Sequence, residues 1–196
     1  MGASGLNLAP GTGPEAPPAR MAVAGGTVVV AGPSGFCIDT IASRDNREGA
    51  LVMLAACRSL AGGGPGTGRA RGAILTASVT PAPAPAPVGE LALPLAAYFA
   101  TDEGRAALSR AGDAATVEVM DSRPDGDLFT LHLRDSAPFP GGTVAAEYRR
   151  AILDVNGRMV AVSAYGLPGA GVPGAALLRD FAAAIRRASA SAAVRG

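Results

Sequence analysis

The chain has 196 residues, enough for one domain with a hydrophobic core but not for two well-packed ones. Its 17 basic residues, all of them Arg, and its 16 acidic residues are interspersed and give a formal net charge of +1. No basic stripe that could neutralise phosphates is visible, so nucleic acid is not an expected partner. The longest apolar stretch near the N terminus, residues 21–31, is shorter than the roughly 20 residues that cross a bilayer, so no membrane span is expected.

Composition divides the chain into a tail and a domain. Residues 1–21 are rich in Pro and Gly and poor in large apolar side chains, which predicts a disordered tail without a secretory signal. Residues 22–190 are expected to form a single α/β domain, and residues 191–196 a frayed C terminus. The whole chain has 27 Gly, 16 Pro and no Trp, so large side chains for a core are few.

Short apolar runs bounded by turn residues predict the first half of the fold. The expected strands, in chain order, are 27–31, 36–39, part of 50–60, and 73–80. A short helix within 50–60 is the alternative, because Ala, Leu and Met favour helices. The charged residues 43–49 and the glycine cluster 62–68 are expected loops, and the Pro-Ala repeat 81–87 is an expected polyproline II spacer.

The second half begins with a helical pattern. Apolar residues recur at helical spacing from residue 91 to residue 99, and Thr101 can cap a second short helix that stops at Gly112. Alternating residues then predict an antiparallel pair of strands, 116–120 and 128–134, joined by a long loop over 121–127.

A β-hairpin that turns at Asn156-Gly157 is the clearest feature, because this dipeptide between two apolar runs favours a two-residue type I′ turn. The turn places Tyr148 opposite Tyr165 and divides the hairpin into two unlike faces. The face expected in the core carries Ala151, Leu153, Val155, Val160 and Val162. An amphipathic helix that Pro173 opens is expected to cover one face of the sheet.

The other hairpin face carries the candidate binding patch, which is Tyr148, Arg150, Ser163 and Tyr165. Tyr and Arg are enriched in contact surfaces, so the patch suits a small polar ligand or a protein. The alternative is a buried layer, covered by the helices predicted over 91–111.

Few residues suggest catalysis or metal binding. His132 is the only histidine, and a half-exposed strand histidine without a catalytic role is the favoured interpretation. The glycine cluster has no Lys for a phosphate-binding loop, and Arg123 stands where a calcium loop needs a ligand. No catalytic residue, metal site or cofactor is therefore expected.

Cys37 and Cys57 are the two cysteines, and both fall in candidate strands. An even count permits a disulfide between them, which we expect, and a pair of buried, reduced thiols is the alternative.

The order of elements resembles the Mog1/PsbP-like α/β/α sandwich, most clearly from Glu147-Tyr148-Arg149-Arg150 through Asn156-Gly157-Arg158 to the last helix. The resemblance implies a mostly antiparallel sheet with helices on both faces, an α+β fold. The segments 35–39 and 54–57 are also similar to an uncharacterised family of exported alphaproteobacterial proteins, some of them labelled cation transport ATPase. The chain has no phosphorylatable Asp-Lys-Thr-Gly-Thr to match that label, but the similarity implies a periplasmic or envelope location.

These observations favour a non-enzymatic binding or accessory domain of the cell envelope, whose partner is an envelope protein or a small ligand. One alternative is a small enzyme that uses His132 or the patch of Tyr148, Arg150 and Tyr165. Another is a cytoplasmic structural subunit.

Overall fold

A computed structural model describes residues 16–139 and 142–193. The strands in this part of the chain are β1 (Arg20–Val23), β2 (Val28–Ala31), β3 (Phe36–Asn46), β4 (Gly49–Ala56), β5 (Ala73–Pro83), β6 (Val117–Asp125), β7 (Leu128–Asp135), β8 (Glu147–Val155) and β9 (Arg158–Gly166). The α-helices are α1 (Cys57–Leu60), α2 (Ala92–Ala100), α3 (Asp102–Leu108) and α4 (Ala175–Ala193). None of the described helices is both long enough and apolar enough to cross a membrane.

Most of the strands belong to one antiparallel sheet in the order β3-β4-β5-β9-β8-β7-β6, while β1 and β2 form a separate hairpin. The expected α+β class with a large antiparallel sheet is thereby confirmed. β1 begins at Arg20, inside the segment predicted to be a tail, and α4 continues to Ala193, inside the segment predicted to be frayed. The rest of the predicted tail, residues 1–15, lies outside the described residues.

The hairpin of β8 and β9 confirms the predicted turn and register. Asn156 and Gly157 have φ angles of 51° and 74°, as a type I′ turn requires, and Tyr148 pairs with Tyr165. The five residues predicted for the core face are all at most 2% exposed. The turn dipeptide therefore fixed which side chains of this hairpin share each face of the sheet.

Helix α4 packs against that core face together with β2. Phe181 and Ile185 are fully buried there, which confirms the predicted apolar stripe. Ser189 is also buried, and its hydroxyl accepts a hydrogen bond from the backbone N–H of Val29 at 2.9 Å. The helix begins at Ala175, two residues later than the expected start at Pro173.

Helices α2 and α3 pack on the opposite face of the sheet, near β6. Phe99 of α2 stacks on Phe129 of β7 with ring centroids 6.2 Å apart. Thr101 caps α3 as predicted, because its side chain accepts a hydrogen bond from the backbone N–H of Gly104. The predicted stop at Gly112 is wrong: α3 ends at Leu108, and Ser109 turns to extended backbone so that Arg110 can reach Asp135.

Both loops that were predicted from charged residues are wrong in extent. β3 continues to Asn46 after a bulge between Asp39 and Arg44, and β6 continues to Asp125 before a tight turn at Gly126. Both are edge strands, so their charged side chains can remain in contact with water. Pro124 has no backbone N–H, and at an edge this need not remove a hydrogen bond between strands. In this sheet the two charged segments therefore lie along edge strands and do not interrupt them.

The boundaries around the two cysteines and the Pro-Ala repeat also differ from the predictions. The run 50–60 is strand only to Ala56, and Cys57 begins the short helix α1 instead of lying in a strand. β5 extends to Pro83, which lies opposite Arg158, so the predicted spacer 81–87 begins as the end of a strand. Hydrogen bonding continues just beyond it, since the N–H of Ala84 donates to Gly157 O at 2.8 Å.

Candidate functional site

Helices α2 and α3 lie near β6 and leave the same face of the sheet open over β4, β5 and β9. This open part is a groove of about 820 Å³, which we call the sheet groove. Its floor consists of side chains that alternate with core residues along these strands, because neighbours on a strand point to opposite faces. The floor residues are Leu51, Met53, Thr76, Ser78, Met159 and Ala161.

Strand register brings the floor together in two parallel rows. One row runs across the sheet from Arg150 through Ser163 and Thr76 to Met53, each residue directly opposite the next. The second row runs from Ile152 through Ala161 and Ser78 to Leu51. A polar end near β8 therefore leads to apolar Leu51 and Met53 on β4, beside which Arg44, Asn46 and Glu48 also line the groove.

Arg150 stands at the polar end of the groove. Its Nε donates a hydrogen bond to Ser163 Oγ at 2.9 Å, and its guanidinium carbon lies 5.6 Å from the centre of the Tyr148 ring. Among the residues that the structure describes, no carboxylate lies within 4.0 Å of the Arg150 side chain. Arg150 is thus a partly buried cation whose close partners are neutral.

Neighbouring tyrosines affect the charge of this end of the groove. Burial raises the pKa of Tyr148 to about 12 against the opposing effect of Arg150, and its hydroxyl donates to Leu108 O at 3.2 Å. Burial works to lower the pKa of Arg150, but Tyr148, Tyr165 and the more distant carboxylate of Asp135 outweigh it and the pKa lies above the ordinary value. At neutral pH Tyr148 is therefore protonated and Arg150 is charged, so this tyrosine is a poor proton carrier.

Arg110 forms the adjoining wall of the groove and has a different environment. Its backbone N–H and its Nε donate to Asp135 Oδ2 at 2.8 and 3.1 Å, and its Nη2 donates to the backbone oxygen of Asp135. Burial acts to raise the pKa of Asp135, but hydrogen bonds from the N–H groups of Arg110 and Ala137 outweigh it and the pKa is lowered. Arg110 therefore has an ion pair at 3.1 Å within the protein, whereas Arg150 has none within 4.0 Å among the described residues.

The structure brings the four residues of the predicted patch together. The Tyr148 and Tyr165 rings stack with centroids 4.6 Å apart, and Arg150 and Ser163 are bonded beside them. Only Arg150 and Tyr165 line the groove, whereas Tyr148 and Ser163 are buried behind them. Helices α2 and α3 cover one portion of this face, and the groove occupies another.

His132 lies away from this groove. It belongs to the face that α4 covers, where its Nε2 is 2.6 Å from Glu147 Oε1 and its side chain is 18% exposed. Arg150 is on the opposite face, so the sheet separates the two residues. His132 and Arg150 cannot act on one substrate.

Comparisons with protein-family models, curated proteins and solved structures give no match for this chain. The site must therefore be interpreted from its own geometry. Within the described residues, no group of three or more His, Cys, Asp or Glu side chains is placed to hold a metal ion.

Cys37 and Cys57 form a disulfide, so the expected pairing is confirmed. The bridge connects β3 to the first residue of α1 and lies outside the groove. It ties the start of α1 to β3.

Sequence reasoning missed most of the groove. The floor residues Met53, Thr76 and Ser78 lie on strands distant in sequence from the hairpin, and only the pairing of β4, β5 and β9 places them beside Arg150. The sequence of β4 offered no signal, because Ala50 to Ala56 are all apolar and only the structure shows that Leu51 and Met53 alternate with buried residues.

Proposed function

We propose that this chain is a non-enzymatic binding domain of the cell envelope that holds a small anionic ligand in the sheet groove. The observation that carries the proposal is Arg150, a cation at the end of a groove whose described close partners are neutral. Burying a charge costs free energy unless an opposite charge lies close to it. An anionic ligand would provide that opposite charge beside Arg150.

An envelope location is supported by the disulfide between Cys37 and Cys57, because such bonds persist in oxidising compartments. The sheet with α4 on one face and α2 and α3 on the other is compatible with the Mog1/PsbP-like sandwich that the sequence resembles. We include that architecture in the proposal.

Ligand binding can be tested with the fluorescent anion anilinonaphthalene sulfonate and protein labelled at its methionine methyl groups. Met53 and Met159 line the groove, whereas Met21 and Met120 do not and serve as internal controls. We expect the probe to shift the NMR signals of Met53 and Met159 and to leave those of Met21 and Met120 in place. Shifts spread over all four signals, or none at all, would contradict a groove site.

A matched pair of substitutions localises the effect. Ala161→Phe fills the floor of the groove, and Ala107→Phe makes the same change at an exposed position of α3 outside it. We expect Ala161→Phe to weaken probe binding at least tenfold while Ala107→Phe leaves it unchanged. Thermal unfolding of both variants shows whether the fold is retained.

The location is tested separately by trapping thiols during extraction from the source cells. A bridged Cys37–Cys57 pair in freshly trapped protein supports the envelope. Two alkylated thiols would contradict it and favour the cytoplasmic alternative.

A further inference from the structure

At its polar end the sheet groove has one arginine, Arg150, with no carboxylate within 4.0 Å among the described residues, while Arg44 lines the groove on its far side. Arg110 is beside Arg150, but Asp135 neutralises the Arg110 guanidinium through an ion pair of 3.1 Å in which both side chains are at most 7% exposed. Arg150 donates one hydrogen bond to the hydroxyl of Ser163, and Tyr165 lines the groove beside it. A guanidinium has five N–H donors, so this bond leaves donors for a ligand. One such cation matches one negative charge.

The geometry of the guanidinium group favours some anions over others. Its N–H groups form a planar fork that matches the two oxygens of a carboxylate. A phosphate monoester carries up to two charges and would need a second cation at this end, where Arg110 is already paired. The polar end therefore fits a carboxylate better than a phosphate.

The remaining floor offers apolar surface to an aliphatic body, interrupted on β5 by the hydroxyls of Thr76 and Ser78. From Arg150 the groove crosses β9 and β5 to reach β4, three strand spacings or about 14 Å. Ala161, Leu51 and Met53 supply apolar surface along this path, and unbranched methionine side chains adapt to flexible ligands. A short anion such as acetate would leave this surface in water.

We propose that the ligand of the sheet groove is an amphipathic monocarboxylate, with its carboxylate on Arg150 and its aliphatic chain across β9 and β5 to β4. This inference rests on the proposed function of the groove, since it specifies the ligand that the groove takes. Decanoate is the probe. Decanol, decyl phosphate and decyltrimethylammonium keep the chain and change the head group.

The test measures dissociation constants of these probes by calorimetry, with the methionine methyl signals as the site readout. We expect decanoate to bind about 10- to 100-fold more tightly than decanol, because a hydrogen bond to a charged group is worth about 1.5–3 kcal/mol. Shortening the chain from decanoate to octanoate to hexanoate should weaken binding about two- to fourfold per methylene.

Three substitutions separate the head group from the chain. Arg150→Met should abolish the preference for decanoate over decanol, and Arg150→Lys should recover only part of it because the planar fork is lost. Arg187→Met, which removes an exposed Arg of α4 outside the groove, should leave the preference unchanged. Thermal unfolding with and without decanol shows that each variant folds and that its groove is intact.

The outcomes distinguish this inference from the proposed function. If decanol or the cationic probe binds as well as decanoate and Ala161→Phe blocks both, the groove binds ligands but the carboxylate assignment is wrong. Preference for decyl phosphate over decanoate also overturns the assignment. If no probe shifts Met53 or Met159, the proposed function itself fails.

Discussion

The disulfide offers the most quantitative prediction about stability. Cys37 and Cys57 are 20 residues apart, and the segment that they enclose is the hairpin of β3 and β4. We consider the double substitution Cys37→Ala and Cys57→Ala, since Cys37 is buried at 7% exposure and alanine adds no polar group there. The change removes the cross-link from the unfolded chain while it leaves the strand pairing of the native state in place.

Loop-closure entropy sets the size of the effect. For a closed loop of this length the cross-link restricts the unfolded chain by about 3 kcal/mol at room temperature. That is a large share of the 5–15 kcal/mol by which domains are usually stable, roughly a fifth to three-fifths. We therefore expect the variant to fold but to unfold at a clearly lower denaturant concentration.

Urea unfolding followed by circular dichroism measures the loss. With a slope of about 1–3 kcal/mol per molar, the midpoint should fall by about 1–3 M. A reductant should lower the wild-type midpoint by a similar amount and have no effect on the double variant, which is the control. A loss below about 1 kcal/mol would refute the entropic reasoning, because it would mean that the unfolded hairpin stays compact without the bridge.

Two further predictions concern the wall of the groove and the hairpin turn. Asp135→Asn should cost about 3–5 kcal/mol by breaking its buried pair with Arg110. The folded-state pKa of Asp135 is lowered, so the stabilisation by this carboxylate is present above the ordinary carboxyl pKa and disappears as the pH falls below about 4. The wild-type protein should therefore lose more stability on acidification than the Asp135→Asn variant. Equal losses in urea titrations would contradict this. Asn156→Ala should lower the free energy of unfolding by about 1–2 kcal/mol, because Asn156 has a positive φ and donates a hydrogen bond to Thr27 O. Asn156→Gly should lower it less, because glycine adopts a positive φ without strain. Equal urea midpoints for the two variants would show that backbone strain is unimportant.

Local patterns predicted the parts of the fold in which neighbours in sequence are neighbours in space. The dipeptide Asn156-Gly157 fixed the register of β8 and β9, and Thr101 fixed the start of α3. The same reasoning failed at β3 and β6, where charged residues continue a strand. Whether a charged residue ends a strand or lies along an edge depends on strand order in the sheet, which local sequence does not contain.

In the candidate site, too, local sequence predicted one part of the arrangement, and contacts between distant residues determine the rest. The sequence brought Arg150 and Tyr165 onto one face because a turn connects their strands, but it gave no reason to separate Arg150 from Arg110. That difference depends on Asp135, which lies 25 residues from Arg110 and reaches it because α3 ends early at Leu108. If α3 continued to Gly112 as its sequence suggests, Arg110 would be part of a helix and could not donate its backbone N–H to Asp135. The end of this helix thus determines which of the two arginines is left for a ligand.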